Sequence, residues 1–268
     1  MPTIRPAAVA GLFYPADPAR LSHDVQKMLS EARTHSFTPK AVIVPHAGYI
    51  YSGVIAASAY ATLFLIAAHI RHVVLLGPTH RVAVRGLALP GVDAFDTPLG
   101  RINLDMAAAQ SIAHLPQVTV NTHAHAQEHS LEVQLPFLQS VLSDFTLLPL
   151  AVGMATPEEV AEVLEILWGN DETLIVISSD LSHFLTYTNA QRVDRHTVDE
   201  ILQLHQPIDH EQACGGTPIN GLIIAAHQHH LKPHLLDLRN SGDTAGTKDK
   251  VVGYAAFAFT DEEAQHVQ

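Results

Sequence analysis

The chain is poor in cationic residues, in cysteine and in long apolar runs. Its 268 residues include 15 Lys and Arg against 27 Asp and Glu, a formal net charge of −12 at pH 7, which argues against nucleic acid or an anionic membrane as a partner. Cys214 is the single cysteine, so an intramolecular disulfide is excluded. No run reaches the roughly 18–20 uninterrupted apolar residues of a membrane span, and Pro and Gly interrupt the segment where a signal peptide would have its apolar core. We therefore expect a soluble, cytoplasmic protein.

The apolar residues that are present alternate between strand-like runs and helical periodicity. Hydrophobic residues make up 47% of the chain, which is enough for a sizeable core. Residues 17–32 place Leu21 and Val25 at helical spacing, whereas AVIV, HVVLL and TLIVI are short runs typical of strands buried on both faces of a parallel sheet. We predict a single domain over residues 1–268, an α/β sandwich with a largely parallel central sheet flanked by helices.

A polar motif that contains a histidine directly follows each of these three apolar runs. PHAGY follows AVIV, GPTH follows HVVLL, and SSDLSHF follows TLIVI, which places His46, His80 and His183 after three strands. In open α/β sheets the ligand crevice lies outside the carboxyl ends of the strands. Three imidazoles at one edge of a sheet predict a metal site or an acid–base site.

The SSDLSHF motif also carries a carboxylate. Asp180 and His183 are three residues apart, a spacing that suits a carboxylate orienting an imidazole for proton transfer. A Ser–His–Asp hydrolase is the alternative, but the chain has no GxSxG elbow. Glu128 and His129, in the segment AQEHSLEVQLP, are further site candidates, although the spacing does not match the HExxH motif of zincins.

Cys214 stands just before a predicted helix N-terminus, for which Thr217 is the expected N-cap. The positive end of a helix favours the thiolate form, and a thiolate with two imidazoles is a ligand set for iron, copper or zinc. A small buried thiol without a role is the alternative. The remaining histidines are interpreted as lying outside the site, with His123 and His125 on the surface and residues 227–234 forming a solvated helix end.

Seven motifs together resemble the Memo family, whose prokaryotic members are called AmmeMemoRadiSam system protein B. The motifs are RPAAVAGLFYP, PHAGYIYSG, GPTH, EHSLEVQLPFLQ, SSDLSHF, CGGTPIN and NSGDTAGTKDKVVGYAAFAF. They run from residue 5 to about residue 259 and so cover nearly the whole chain. The family is similar in fold to class III, LigB-type extradiol dioxygenases, which are non-haem Fe(II) enzymes, so the resemblance implies a LigB-dioxygenase-like fold.

The resemblance also implies roles for individual residues. Three residues would hold one copper or iron ion, with zinc less favoured: His46, His80 and Cys214. Three more would serve in catalysis: His183, Asp180 and His129. The dioxygenases complete their ligand set with Glu where this chain offers a cysteine, so ring cleavage does not carry over. We predict a metal-dependent redox protein or oxidoreductase, whose substrate pocket is lined by Tyr51, Glu128 and Ser179.

The resemblance implies association with a radical-SAM protein and an AMMECR-type partner, in addition to a small-molecule or peptide ligand. The rival is a non-catalytic protein that binds a peptide or an anion in the same pocket. The absent carboxylate ligand favours the rival, whereas the retained His, Asp and Ser side chains favour the enzyme.

Overall fold

The structure, a computed structural model, describes residues 2–261 and contains a nine-stranded mixed sheet and a three-stranded sheet. The strands are β1 (Ile4–Arg5), β2 (Ala41–Val44), β3 (His72–Pro78), β4 (Leu87–Leu89), β5 (Ala94–Thr97), β6 (Gly100–Asn103), β7 (Val118–Val120), β8 (Thr146–Val152), β9 (Thr173–Ser178), β10 (His183–Leu185), β11 (Leu231–Asn240) and β12 (Val251–Asp261). The helices are α1 (Pro18–Glu31), α2 (Tyr49–Tyr60), α3 (Met106–Ile112), α4 (Thr122–Ala126), α5 (Leu135–Val141), α6 (Pro157–Leu167), α7 (Tyr187–Leu202) and α8 (Gly216–Gln228). Short 3-10 helices lie at Ala61–Leu65, Glu132–Gln134 and Ser241–Asp243.

The large sheet is parallel at its centre. Its strand order is β10-β12-β2-β9-β3-β8-β4-β7, and β11 pairs with β12. Strands β2, β9, β3 and β8 run parallel to their neighbours in this series. Antiparallel pairing begins on either side of them, at β12 with β2 and at β4 with β8. The predicted largely parallel central sheet is therefore confirmed, with antiparallel additions towards both edges.

Alternate residues of β2 enter two different apolar cores. Val42 and Val44 belong to a core shared with α1, α2 and α5, whereas Ala41 and Ile43 belong to one shared with α3, α6, α7 and α8. Successive side chains of a strand point to opposite faces, so helices cover both faces of the sheet. The predicted α/β sandwich is confirmed. Among residues 2–261, every helix falls short of the length and apolarity that crossing a bilayer requires.

The starts of α1 and α6 follow local capping signals. The Asp17 side chain accepts a backbone N–H at the start of α1, and α6 opens with the capping box of Thr156 and Glu159. The predicted N-cap at Thr217 is wrong, because α8 begins at Gly216 and Thr217 already lies inside its first turn.

Candidate metal centre

Three neighbouring parallel strands bring the histidine motifs to one edge of the sheet. Strands β2, β9 and β3 are adjacent in that order, with β9 paired to both of the others. His46 lies two residues past β2, His80 two residues past β3, and Asp180 two residues past β9. The carboxyl ends of the three strands therefore meet at one crevice, as the sequence predicts.

A third imidazole joins those of His46 and His80. His129 comes from the loop between α4 and the following 3-10 helix, and one potential ligand nitrogen from each of the three histidines lies within 4.8 Å of the other two. The ring centroids are 5.2 Å apart for His46 and His80, 5.4 Å for His46 and His129, and 4.5 Å for His80 and His129. Imidazole nitrogens are ligands for iron, copper and zinc. The cluster is a candidate metal centre.

Hydrogen bonds around Ser178 fix the tautomer of His46. The hydroxyl of Ser178 donates its one proton to the backbone oxygen of Ser130 at 2.6 Å and accepts from Nε2 of Gln134 at 2.8 Å. It must therefore accept, not donate, in its 2.9 Å contact with Nδ1 of His46. Because Nδ1 then carries the proton, Nε2 of the neutral ring keeps its lone pair for a ligand.

Glu128 plays the corresponding part for His80. Its Oε1 accepts from Nδ1 of His80 at 2.8 Å, and its Oε2 accepts the backbone N–H of His80 at 2.6 Å. Burial by itself would raise the pKa of Glu128, but these contacts, with the backbone N–H of Ser130, lower the pKa to about 2. The ionised carboxylate holds the proton of His80 on Nδ1 and leaves Nε2 available to a metal.

Burial keeps the rings of His46 and His129 uncharged. Desolvation, with the nearby His80, His129 and His183, lowers the pKa of His46 well below its usual value. Desolvation and the neighbouring His80 lower the pKa of His129 to about 4. A metal ion requires deprotonated imidazole nitrogens, so the rings of His46 and His129 are suited to a cation at neutral pH without a proton first having to leave.

Cys214 lies beside the cluster, with Sγ 3.3 Å from Nε2 of His46. Bonds of about 2.3 Å to sulfur and about 2.0 Å to nitrogen place two ligands of one tetrahedral ion about 3.5 Å apart, so this separation fits a shared ion. Burial, followed by the charge of Asp180, raises the pKa of Cys214 to about 12. The expected lowering of its pKa by the helix N-terminus is therefore wrong for the protein without a cation, because desolvation outweighs the helix dipole.

The glycine after Cys214 allows two loops to touch. The backbone N–H of Gly215 donates to Oγ of Ser179 at 2.9 Å, and a Cβ on Gly215 would lie 2.6 Å from Cβ of Ser179. The close approach that this glycine permits is to the loop after β9. This contact fixes Gly215 as the N-cap of α8, so the helix starts earlier than its Thr217 predicts.

The predicted orienting contact between Asp180 and His183 is wrong. Oδ1 of Asp180 accepts the backbone N–H of His46 at 2.7 Å, while Nδ1 of His183 contacts the carbonyl oxygen of Leu181 at 2.8 Å and donates to it. The reason is that β2 and β9 are adjacent, which directs the carboxylate into the loop after β2. Burial raises the pKa of Asp180 to about 6. A backbone carbonyl, not a carboxylate, thus orients His183.

An open cleft of about 540 Å³ adjoins the cluster, and its walls include His129, Asp180 and His183. Of the three predicted substrate contacts, Tyr51 lines this cleft. Glu128 and Ser179 are each 1% exposed, and their hydrogen bonds hold His80 and the Cys214 loop. The three predicted catalytic residues therefore line one cleft, whereas Glu128 and Ser179 are not among its lining residues.

A buried ion pair, which sequence reasoning missed, braces the segment that carries Glu128 and His129. Nη1 of Arg5 lies 2.7 Å from Oε2 of Glu132, and its Nη2 donates to the backbone oxygen of Glu128 at 2.8 Å. The hydroxyl of Tyr14 donates to Oε1 of Glu132 at 2.6 Å. The only signal was that these side chains stand within the motifs RPAAVAGLFYP and EHSLEVQLPFLQ, and the motifs alone do not indicate which residues pair.

The other histidines among residues 2–261 lie outside the cluster, but not all where predicted. His123 is exposed as expected, whereas His125 is 2% exposed, with Nε2 2.7 Å from the backbone oxygen of Ala88. The surface interpretation of His125 is wrong because the short α4 turns this ring towards β4. At the end of α8, His227 is exposed as predicted, while His234 is half-buried in β11.

Comparisons with known proteins agree over nearly the whole chain. The family described as Memo-like protein matches residues 5–258. Relatives named MEMO1 family protein from Sulfolobus acidocaldarius and Aquifex aeolicus are 33% and 34% identical, each over 96% of this chain and over 100% and 99% of the relative. A crystal structure of an uncharacterized protein from Escherichia coli K12 is similar in fold, with a TM-score of 0.53, 13% identity, and coverage of 81% of this chain and 98% of that one. The chain belongs to the Memo-like protein family.

Proposed function

We propose that the chain is a metal-dependent redox protein or oxidoreductase that holds one copper or iron ion between His46 and His80. The observation that carries the proposal is the convergence of three imidazoles, two of which have Nδ1 engaged in hydrogen bonds. Metal-binding histidines generally donate their other ring N–H to a carboxylate or another acceptor, which fixes the tautomer. Ser178 and Glu128 supply these acceptors.

The third ligand in this proposal is His129, and Cys214 would be an additional ligand of the same ion. A nitrogen of His129 lies within 4.8 Å of those of His46 and His80. The sulfur of Cys214 lies 3.3 Å from Nε2 of His46. An added cation favours the thiolate form of Cys214 over the thiol. A thiolate would shift the preference of the site towards Cu(I) or zinc, and three imidazoles also suit iron.

The bound ion would supply electron transfer and an open position for a small ligand. The residues around it would bind and move protons. His183, held through Nδ1 by the carbonyl of Leu181, keeps Nε2 free for proton transfer at the cleft. Tyr51 and Lys250 line the same cleft and would bind an anionic part of a substrate.

A ligand-binding protein without turnover is the second candidate. The observation that favours it is the apolar mouth of the cleft, where Leu12 is 81% exposed and Phe184 is 69% exposed. Exposed apolar groups around a cleft mark interaction sites. In this candidate, a peptide or an anion would rest on these side chains and on Lys250.

Metal analysis of untagged protein tests the proposal. Anaerobic reconstitution with Fe(II), Cu(I) or Zn(II) is expected to give about one iron or copper per chain, and His46→Ala is expected to abolish it. His129→Ala and Cys214→Ser then identify the third ligand by their loss of affinity. His123→Ala, at an exposed histidine outside the cluster, is the matched control.

The outcomes separate the candidates. A wild-type chain that takes up neither iron nor copper would overturn the metal proposal, as would metal retained in the His46, His129 and Cys214 variants alike. Exclusive binding of zinc would remove the redox role. A loaded protein that never changes oxidation state with dithionite or O₂ would favour the ligand-binding candidate.

A further inference from the structure

A second cavity, of about 440 Å³, lies between α7 and the end of β11. None of the residues that line it also lines the cleft beside the histidines. On the helix side its walls include Thr188, Gln191, Arg192 and Arg195. These positions follow the i, i+3, i+4, i+7 spacing of one helix face, so a single face of α7 presents two guanidinium groups and two neutral hydrogen-bonding groups to the cavity.

The two arginines of α7 lack a partner of their own. Within residues 2–261, no carboxylate lies within 4.0 Å of the guanidinium of Arg192 or Arg195. Arg239, on the opposite wall, is held by Asp237 at 2.9 Å. The α7 wall of the cavity thus presents two exposed guanidinium groups without an ion-pair partner, in a chain whose formal net charge is −12.

The acidic side chains that line the cavity are already engaged elsewhere. Asp243 accepts from the hydroxyl of Tyr187 at 2.5 Å and from the backbone N–H of Asn240 at 3.0 Å. Asp194 is 2% exposed and accepts the backbone N–H of Ser182 at 3.0 Å. Neither carboxylate therefore forms an ion pair with these arginines, which leaves both guanidinium groups available to a ligand with negatively charged oxygens.

We propose that this cavity binds the phosphate group of a small phosphate monoester. A guanidinium presents a planar fork of donors that matches phosphate oxygens in pairs. Arg192 and Arg195 supply two such forks, while the hydroxyl of Thr188 and the amide of Gln191 supply neutral donors on the same helix face. The cavity volume falls within the roughly 300–1,000 Å³ of small-molecule sites, which leaves space for the body of the ligand beyond its phosphate.

Titration calorimetry on the full chain, in the presence of EDTA, tests this site with inorganic phosphate and AMP as probes. We expect AMP to bind saturably to the wild type. We expect the Arg192→Gln/Arg195→Gln variant to bind AMP at least about tenfold more weakly, because charge-assisted hydrogen bonds are stronger than those between neutral groups. Arg33→Gln/Arg85→Gln removes the same charge from exposed positions outside the cavity and should bind AMP as the wild type does. Thermal melting should show that all the variants are folded.

Four results would overturn the proposal. The first is that AMP does not bind saturably at millimolar concentration, and the second is that AMP binding weakens equally in the Arg33 and Arg85 control variant. The third is that AMP still binds to the Arg192 and Arg195 variant, and the fourth is that AMP and phosphate bind with equal affinity. The second result would reveal a general charge effect. The third would place the anion outside this cavity, and the fourth would reassign the cavity to inorganic phosphate. AMP bound at least about tenfold more tightly than phosphate, with the loss confined to the Arg192 and Arg195 variant, supports the monoester.

Discussion

The carboxylate of Glu128 lies 2.8 Å from Nδ1 of His80 while it also accepts the backbone N–H of His80 at 2.6 Å. One buried side chain thus fixes both the position of the loop and the tautomer of a candidate ligand. Its Oε1 further accepts the backbone N–H of His129 at 2.9 Å, so two of the three clustered histidines depend on it.

We expect Glu128→Gln to weaken metal binding by about 10–100-fold, because loss of an outer-shell carboxylate lets the ligand ring take the wrong tautomer and orientation. A competition titration of the apoprotein with a chelator of known affinity measures this change. Glu31→Gln, on the exposed face of α1, is the matched control and should leave affinity unaltered. Unchanged affinity in Glu128→Gln would show that Glu128 does not support a metal ligand.

The pair of Arg5 and Glu132 should contribute strongly to folding. Arg5 is 5% exposed and Glu132 is 0% exposed, so Arg5→Met leaves a buried carboxylate without its cation. We expect the free energy of unfolding in urea to fall by about 3–5 kcal/mol. Arg101→Met breaks an exposed pair with Asp96 and should cost no more than about 1 kcal/mol. Similar losses in both variants would contradict the assigned role of the buried pair.

His125 should make the protein less stable as the pH falls. Burial lowers its pKa to about 4, against about 6.5 in the unfolded chain. Between these two values the unfolded state binds a proton that the folded state refuses, so stability is present above pH 6.5 and is lost as the pH falls towards 4. The linkage amounts to about 2 kcal/mol between pH 7 and pH 5.

His125→Asn should therefore lose about 2 kcal/mol less than the wild type over that interval, as measured by urea unfolding at each pH. His123→Asn, two residues away and exposed, should follow the wild-type curve. Parallel curves for the wild type and His125→Asn would show that this histidine does not titrate as a buried group. The comparison of two neighbouring histidines removes the contributions of the other titrating residues.

Much of the fold was predictable because its signals are local. The runs AVIV, VVLL and LIVI are apolar at every position, and each is buried on both faces of the sheet. The capping box at Thr156 likewise depends on residues three apart. The start of α8 was mispredicted because a contact between Gly215 and Ser179, 36 residues apart, overrides the local signal of Thr217.

The sequence by itself determined that His46 and His80 stand at strand ends on one edge of a sheet, because a buried strand followed by a polar turn is a local pattern. Only the tertiary structure decided that His129 completes the cluster, since its loop reaches His80 through long-range hydrogen bonds and the bracing by Arg5. It also decided the roles of Asp180 and Cys214. The order of strands determines that the carboxylate of Asp180 meets the backbone N–H of His46. Burial raises the pKa of Cys214 and overrides the local effect of the helix end.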